Sequence, residues 1–250
     1  KLTGNELGCL LMEYILKARA EKNDIPEGAI VVRSIVSSPL ADQIAKKYGV
    51  LMKAVLTGFK YIGGEILALE QKDEQDKYIF GFEESCGYLK GTYARDKDAV
   101  VASMLVCELA ASCKMQGMSI VDALNNMYKT YGYYLADVQS VELSGADAME
   151  KAASMMADFR KNAPASIGGA TVTCVRDYQM QKAVDLASGE ISVIDLPKSN
   201  VLEFILGDSG SVLVLPSGPE PKVKFYYTAV GEDAAAAKTM LSAMKRQMSV

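Results

Sequence analysis

Residues 29–56 read AIVVRSIVSSPLADQIAKKYGVLMKAVL. The β-branched run at 29–36 lies between Gly28 and Pro39 and has the composition of a buried strand. Ser38 followed by Pro39 is a helix start, a capping hydroxyl with proline in the first turn. That helix runs to Tyr48 and stops at Gly49. Apolar residues return at 50–56 as a second strand. Strand, helix, strand with short connections is the unit of a parallel sheet.

Working outward, Leu7, Leu10, Leu11, Tyr14 and Ile15 recur at helical spacing on the N-terminal side. On the other side a helix at about 62–71 and a third strand at 77–82 extend the α/β layer. A Gly-rich loop follows over 83–97. Asp98 can cap a long apolar helix to about Lys114, Gly117 ends it, and Ser119 caps another that fades at 131–134. The rhythm then changes. A strand is expected at 138–143, a helix at 146–161, a strand at 171–176 and then a polar stretch. Residues 201–206 and 211–215 form a hairpin about Gly207-Asp208-Ser209-Gly210, followed by a strand at 223–228 and a closing helix at 233–247. Hairpins flanked by helices predict α+β with an antiparallel sheet. The boundary falls near Leu135, giving domains at 1–135 and 136–250.

Composition narrows the chemistry. The 250 residues carry 27 Lys and Arg against 31 Asp and Glu, a net charge of −4. No basic block marks a nucleic-acid footprint, and no apolar run approaches the roughly 20 residues that cross a bilayer. No signal peptide is visible, and the start at Lys1 reads as a clipped piece of a longer protein. There is no His, which removes imidazole bases, Ser-His-Asp and Cys-His pairs and His-ligated zinc within this chain. Five Cys without a CxxC pair suit reduced thiols and a cytoplasmic setting. Cys9 and Cys107 read as small core residues on apolar helix faces.

Three loops follow strands, where ligands of open α/β sheets collect. In Thr57-Gly58-Phe59-Lys60, Gly permits close backbone approach, the ring can shield a sugar face and Lys can meet a phosphate. Taken alone it is first of all an ordinary turn with a core Phe. In Phe82-Glu83-Glu84-Ser85-Cys86-Gly87, carboxylates and a hydroxyl can bind vicinal sugar hydroxyls. A solvated acidic turn is the alternative, weakened by the apolar strand that runs directly into it. Residues 215–222, LPSGPEPK, offer Ser and Gly amides beside Lys222 and Lys224, an anion cradle or a rigid proline-rich hairpin. Lys222 and Lys224 share one face of the next strand. Arg33, charged within an apolar strand, calls for a partner or a ligand. The run Arg95-Asp96-Lys97-Asp98 is either part of a site or a solvated helix start.

The order of motifs resembles the α-D-phosphohexomutases. These are TGNELG at 3–8, VVRSIVSS at 31–38, TGFKYIG at 57–63, FGFEESCGYL at 80–89, RDKDAV at 95–100 and SGPEPKVKFY at 217–226. Each is weak alone, but together they follow the family's order over nearly the whole chain. The likeness is to bacterial phosphoglucomutases and phosphomannomutases. It implies a four-domain plan with a phosphoserine in the first domain and a Mg²⁺ loop in the second. The third, a sugar-reading α/β/α domain, would be 1–135. The fourth, a phosphate-binding α+β domain likened to TATA-binding protein, would be 136–250.

The resemblance implies roles residue by residue. Glu83 and Ser85 correspond to the sugar-hydroxyl pair, and Gly58 and Phe59 to the loop beside the sugar. Arg33 and Lys97 correspond to basic residues of the cleft, Lys97 as a catalytic candidate that assists proton transfer or stabilises the phosphoryl group. Ser217, Gly218, Lys222 and Lys224 correspond to the phosphate loop. The implied activity interconverts hexose 1- and 6-phosphates through a hexose 1,6-bisphosphate, with Mg²⁺ and the N-terminal domains as partners and no metal ligand in this chain. This chain alone would be inactive. Leu215 and Pro219 stand where the family has Arg and Thr. Their lost donors, roughly 1.5–3 kcal/mol each, open the alternative of a non-catalytic sugar-phosphate-binding paralogue. Glucose and mannose are not separated by these motifs. A nucleotide-binding domain is disfavoured, because neither glycine-rich phosphate motif follows a strand.

Overall fold

The computed structural model describes residues 1–145, 147–217 and 220–248. The chain divides into two compact units, Lys1–Gly132 and Tyr133–Val250.

The first unit runs α1 (Gly4–Glu21), β1 (Ile30–Ser34), α2 (Leu40–Lys47), β2 (Leu51–Val55), α3 (Phe59–Glu70), β3 (Tyr78–Glu83), β4 (Gly87–Lys90), α4 (Ala99–Met115) and α5 (Ile120–Tyr131). Its four strands lie in the order β2-β1-β3-β4. β1 is parallel to β2 and to β3, while β4 returns antiparallel to β3. Helices cover both faces. On one, Ile30 and Val32 of β1 pack with Val55, Phe59, Ile62, Ile66, Tyr78 and Leu89. On the other, α1 closes on β3 through Gly8, where a Cβ would lie 2.3 Å from the Phe82 ring.

Local chemistry starts and ties the helices. Thr3 and Glu6 form a capping box on α1, and Ser119 and Asp122 form one on α5. Asp98 caps α4 by accepting from Val100 and Val101 N–H. Its carboxyl is held below the ordinary range, first by the Tyr93 hydroxyl and next by Val101 N–H. Glu13 joins three helices, accepting from Tyr48 Oη at 2.8 Å, Tyr131 Oη at 2.6 Å and Lys47 Nζ at 3.3 Å.

The second unit runs β5 (Tyr133–Glu142), α6 (Ala148–Lys161), β6 (Ser166–Ile167), β7 (Ala170–Thr171), β8 (Cys174–Asp177), β9 (Lys182–Asp185), β10 (Ile191–Val193), β11 (Leu202–Ile205), β12 (Gly210–Pro216), β13 (Lys222–Gly231) and α7 (Ala234–Met248). Seven strands form one antiparallel sheet, ordered β10-β9-β8-β11-β12-β13-β5. Along β13 the residues alternate: Val223, Phe225, Tyr227 and Ala229 enter the core with Met156 of α6 and Met244 and Met248 of α7. Phe159 lies against both Phe204 and Phe225, with ring centroids 6.0 Å apart in each pair. Full burial of a Val, Phe or Met side chain in this core contributes about 1.5–3 kcal/mol.

The α/β layer and the antiparallel α+β unit agree with the fold class read from the sequence, and details differ. The Gly-rich loop at 83–97 contains β4, reached by a tight turn with Cys86 at φ 64°. The polar stretch after β8 contains β9 and β10. β10 is exposed at every position, so alternation left no trace there. β5 begins at Tyr133 rather than at 138, because its first residues pair with the end of β13. Cys107 is not a core residue. The buried face of α4 is Ala102, Leu105, Leu109 and Cys113, and Cys107 lies exposed off it, whereas Cys9 is fully buried.

Gly8 sits inside a helix, where alanine would be preferred by about 1 kcal/mol. The clash with the Phe82 ring opposes that gain, and overpacking a core costs about 1–3 kcal/mol. Gly8→Ala should therefore lower the urea midpoint of the chain. A raised midpoint would show that helix propensity wins and that α1 does not close on Phe82 as described.

Candidate functional site

The carboxyl ends of β2 and β3 bring four of the expected residues together. Leaving β2, the chain turns at Gly58, whose φ of 113° and ψ of 123° suit a residue without Cβ. Gly58 caps α3, and Phe59, the first residue of that helix, is buried. Glu83 closes β3 and is 7% exposed. Its Oε1 accepts the Gly58 N–H at 2.7 Å. A nearly buried carboxylate needs such a partner, and the N-terminus of a helix favours negative charge. The interaction fastens the two loops to each other.

Lys97 completes the group. Its Nζ lies 5.8 Å from the centroid of the Phe59 ring, within cation–π range. The same Nζ meets Asp96 Oδ1 at 3.1 Å. Asp96 is held below the ordinary carboxylate range, first by the Lys97 N–H and then by the Lys97 side chain. Ser85 lies exposed in the β3–β4 turn beside Glu83. One feature escaped the sequence reading. Gly87, the first residue of β4, has its open side toward Lys97, Glu83 and Phe59 together.

Arg33 lies elsewhere. Ile30 and Val32 face α3, so Arg33, opposite Phe82 in register, faces the α1 side. Its Nε and Nη2 each donate to the Asp42 carboxylate at 2.8 Å, and Nη1 donates to the carbonyls of Ser34 and Ser37. This bidentate pair is 11% exposed on the arginine side. The buried turn it holds also places Ser34 Oγ 2.7 Å from Ser37 Oγ and 3.2 Å from Glu84 Oε2. The charge inside an apolar strand thus has a protein partner. Glu84 falls with this cluster rather than with Glu83.

In the second unit, Lys222 and Lys224 are half-buried on one face of β13, between buried Val223 and Phe225. Ser217 N–H donates to the Lys222 carbonyl at 2.8 Å, which closes the loop. Glu220 pairs with Lys222 and accepts from Ser217 Oγ at 3.4 Å. Its carboxyl is held below the ordinary range, chiefly by Lys222, with smaller effects of Ser217 and Lys224. A carboxylate of the chain itself therefore meets the Lys222 ammonium. Leu215 is half-buried opposite Lys224. Gly218 and Pro219 lie outside the described residues.

Residues 3–131 match the family model described as phosphoglucomutase/phosphomannomutase, alpha/beta/alpha domain III. The chain belongs to this family. The phosphoglucomutase of Staphylococcus aureus strain MRSA252 is 38% identical over 223 residues, covering 89% of this chain and 39% of that relative. The chain thus spans well under half the length of the curated relatives it matches. The fold is shared with the open form of the phosphoglucomutase pp63/parafusin of Paramecium, with TM-score 0.67 and 16% identity over 99% of this chain and 40% of that one. It is also shared with a phosphoglucomutase/phosphomannomutase family protein of Burkholderia thailandensis, with TM-score 0.57 and 14% identity over 96% of this chain and 40% of that one.

Within the family's domain III, the Arg33 cluster is a fastener of the turn between β1 and α2. Arg33→Ala should lower the unfolding free energy by about 1.5–3 kcal/mol, the value of hydrogen bonds to charged groups. Arg33→Lys should not restore it, since an ammonium cannot make the two parallel bonds. Urea denaturation checks both. Full stability in Arg33→Ala would show that the guanidinium is not needed by the fold.

Proposed function

We propose that this chain is the sugar-reading and phosphate-holding part of a phosphohexomutase. On this reading the intact enzyme moves a phosphoryl group between the 1- and 6-positions of a hexose through a hexose 1,6-bisphosphate, in the cytoplasm. The observation that carries the proposal is the convergence of Glu83, Gly58, Phe59 and Lys97 at the strand ends of a domain III. Phosphoryl transfer is catalysed by positioning and charge stabilisation, and these residues supply both.

Oε1 of Glu83 is engaged by Gly58, so Oε2 would be the oxygen that meets a sugar hydroxyl, and Ser85, exposed in the same turn, would supply a second contact. Phe59 gives an apolar wall. The Lys97 ammonium, exposed above that wall, can meet a phosphoryl oxygen. In the second unit Ser217, Lys222 and Lys224, with Gly218 by family likeness, would take the phosphate that is not being transferred. Residues 1–135 and 136–250 would then be the family's third and fourth domains.

Among the described residues no group of three His, Cys, Asp or Glu side chains could hold a metal ion. Magnesium and the phosphorylated serine enter the proposal as parts of a longer protein, by the family's plan alone. The chain alone should bind hexose phosphates without converting them. A second reading, a non-catalytic sugar-phosphate-binding paralogue, is favoured by Leu215, which presents no donor to a phosphate. A serine loop and three aspartates upstream would decide for the enzyme.

Calorimetric titration of the chain with glucose 6-phosphate, and separately with mannose 6-phosphate, tests the proposal. Binding should weaken about 10–100-fold in Glu83→Gln, as expected for a charge-assisted bond worth about 1.5–3 kcal/mol. An unchanged affinity would remove Glu83 from the sugar site. Turnover by the chain alone in a coupled assay would contradict the division of labour.

Glu220 should act as an internal competitor for the lysines. Glu220→Gln removes the charge that Lys222 now meets, so inorganic phosphate should bind several-fold more tightly, at the scale of one charge pair. Weaker binding in that variant would mean that Glu220 helps build the cradle.

A further inference from the structure

Gly87 lies where three separate segments meet. A Cβ at this buried position would sit 3.0 Å from Lys97 Cδ, 3.4 Å from Glu83 Oε2 and 3.4 Å from Phe59 Cδ2. Its φ is outside the left-handed region, so the backbone does not require glycine here. Gly87 pairs with Glu83 across the β3–β4 ladder, an ordinary strand position. What requires glycine is the space beside it.

We propose that Gly87 is a positioning residue of the sugar site. Its lack of a side chain leaves the gap into which the Lys97 stem folds over the Phe59 ring, and this brings the ammonium to the same ligand as Glu83 Oε2. The inference rests on the reading of this site as a hexose-phosphate site.

Which neighbour would yield to an added methyl follows from how each is held. Carbon atoms pack at about 3.5–4.0 Å, so the 3.0 Å approach of the Lys97 stem is the one that has to relax. Glu83 is pinned by Gly58, and Phe59 is buried at the start of α3. The Lys97 side chain is 55% exposed, and its ion-pair partner, Asp96, is its own chain neighbour. The lysine therefore withdraws while the carboxylate and the ring stay. Alanine at 87 should remove the ammonium from the site and spare the fold.

The test is a double-variant cycle on the full chain, titrated with glucose 6-phosphate, with the melting temperature recorded for each protein. Gly87→Ala and Lys97→Ala should each weaken binding about tenfold, the loss of one charge-assisted contact. The double variant should bind no more weakly than either single one, because the lysine has already left. The melting temperature of Gly87→Ala should stay within about 4 °C of the parent. Wild-type affinity in Gly87→Ala, or multiplicative losses in the double variant, would overturn the proposal.

A ligand-free readout separates this inference from the functional reading. The Lys97 methylene protons should show ring-current shifts from Phe59 in the parent and lose them in Gly87→Ala. Retained shifts would overturn the positioning role whether or not any sugar phosphate binds. Absence of binding by the parent would instead sink the hexose-phosphate reading. If Gly87→Ala alone does not fold, the double variant, with no stem to displace, should fold. Its failure to fold would also overturn the role.

Discussion

The hydrogen bond from Gly58 N–H to Glu83 Oε1 organises the candidate site. It spans 25 positions of sequence and joins the end of β3 to the start of α3. A carboxylate this deeply buried is costly without a donor, and the donor it has is the capping amide of a helix. The conformation of Gly58 aims that amide, and the position of Glu83 follows from the pairing of β3 with β1. The buried charge is thus stabilised by backbone at Oε1, while Oε2 lies toward the open side of Gly87. Rigidity is the consequence. Because the fastened group belongs to two strand ends, neither loop can shift without breaking the other's contact.

The same sheet supports two charged clusters with different duties, and the pleat separates them. Arg33 and Glu83 sit on neighbouring strands of one sheet but point to opposite faces. On one face, the guanidinium is engaged by Asp42 and two carbonyls and holds a turn. On the other, the lysine and the carboxylate each keep an exposed or partly engaged atom. The second unit has a looser arrangement. Its lysines lie half-buried on the face of β13 opposite Val223 and Phe225, and the carboxylate that meets Lys222 is local and exposed. A local, exposed pair of this kind is held weakly against solvent.

Much of this was legible in the sequence where the signal was local. The β1–α2–β2 unit was visible from β-branched residues, the Ser38-Pro39 start and the Gly49 stop. The helix caps at Asp98 and Ser119 were visible from residue type. Strands without a buried face were not: β10 is exposed along its length, and β4 hides among glycines and a turn that puts Cys86 at positive φ. The helix α4 is apolar almost all round, so sequence alone could not say which side is buried, and Cys107 fell on the wrong one. For the site, Glu83, Gly58, Phe59 and Lys97 were legible as motif residues. The partner of Arg33, and the space that Gly87 leaves, were not. Both depend on which distant side chains approach, and no spacing along the chain encodes that.

The central claim is that Glu83 faces a hexose phosphate with one oxygen while the other stays on Gly58. A crystal structure of the chain with bound glucose 1,6-bisphosphate tests it most directly. The account predicts sugar hydroxyls on Glu83 Oε2 and Ser85, Lys97 within hydrogen-bond reach of a phosphoryl oxygen, and the Gly58 amide still on Oε1. A sugar bound away from the ends of β2 and β3, or a Glu83 carboxylate rotated off Gly58 to take two hydroxyls, would contradict it.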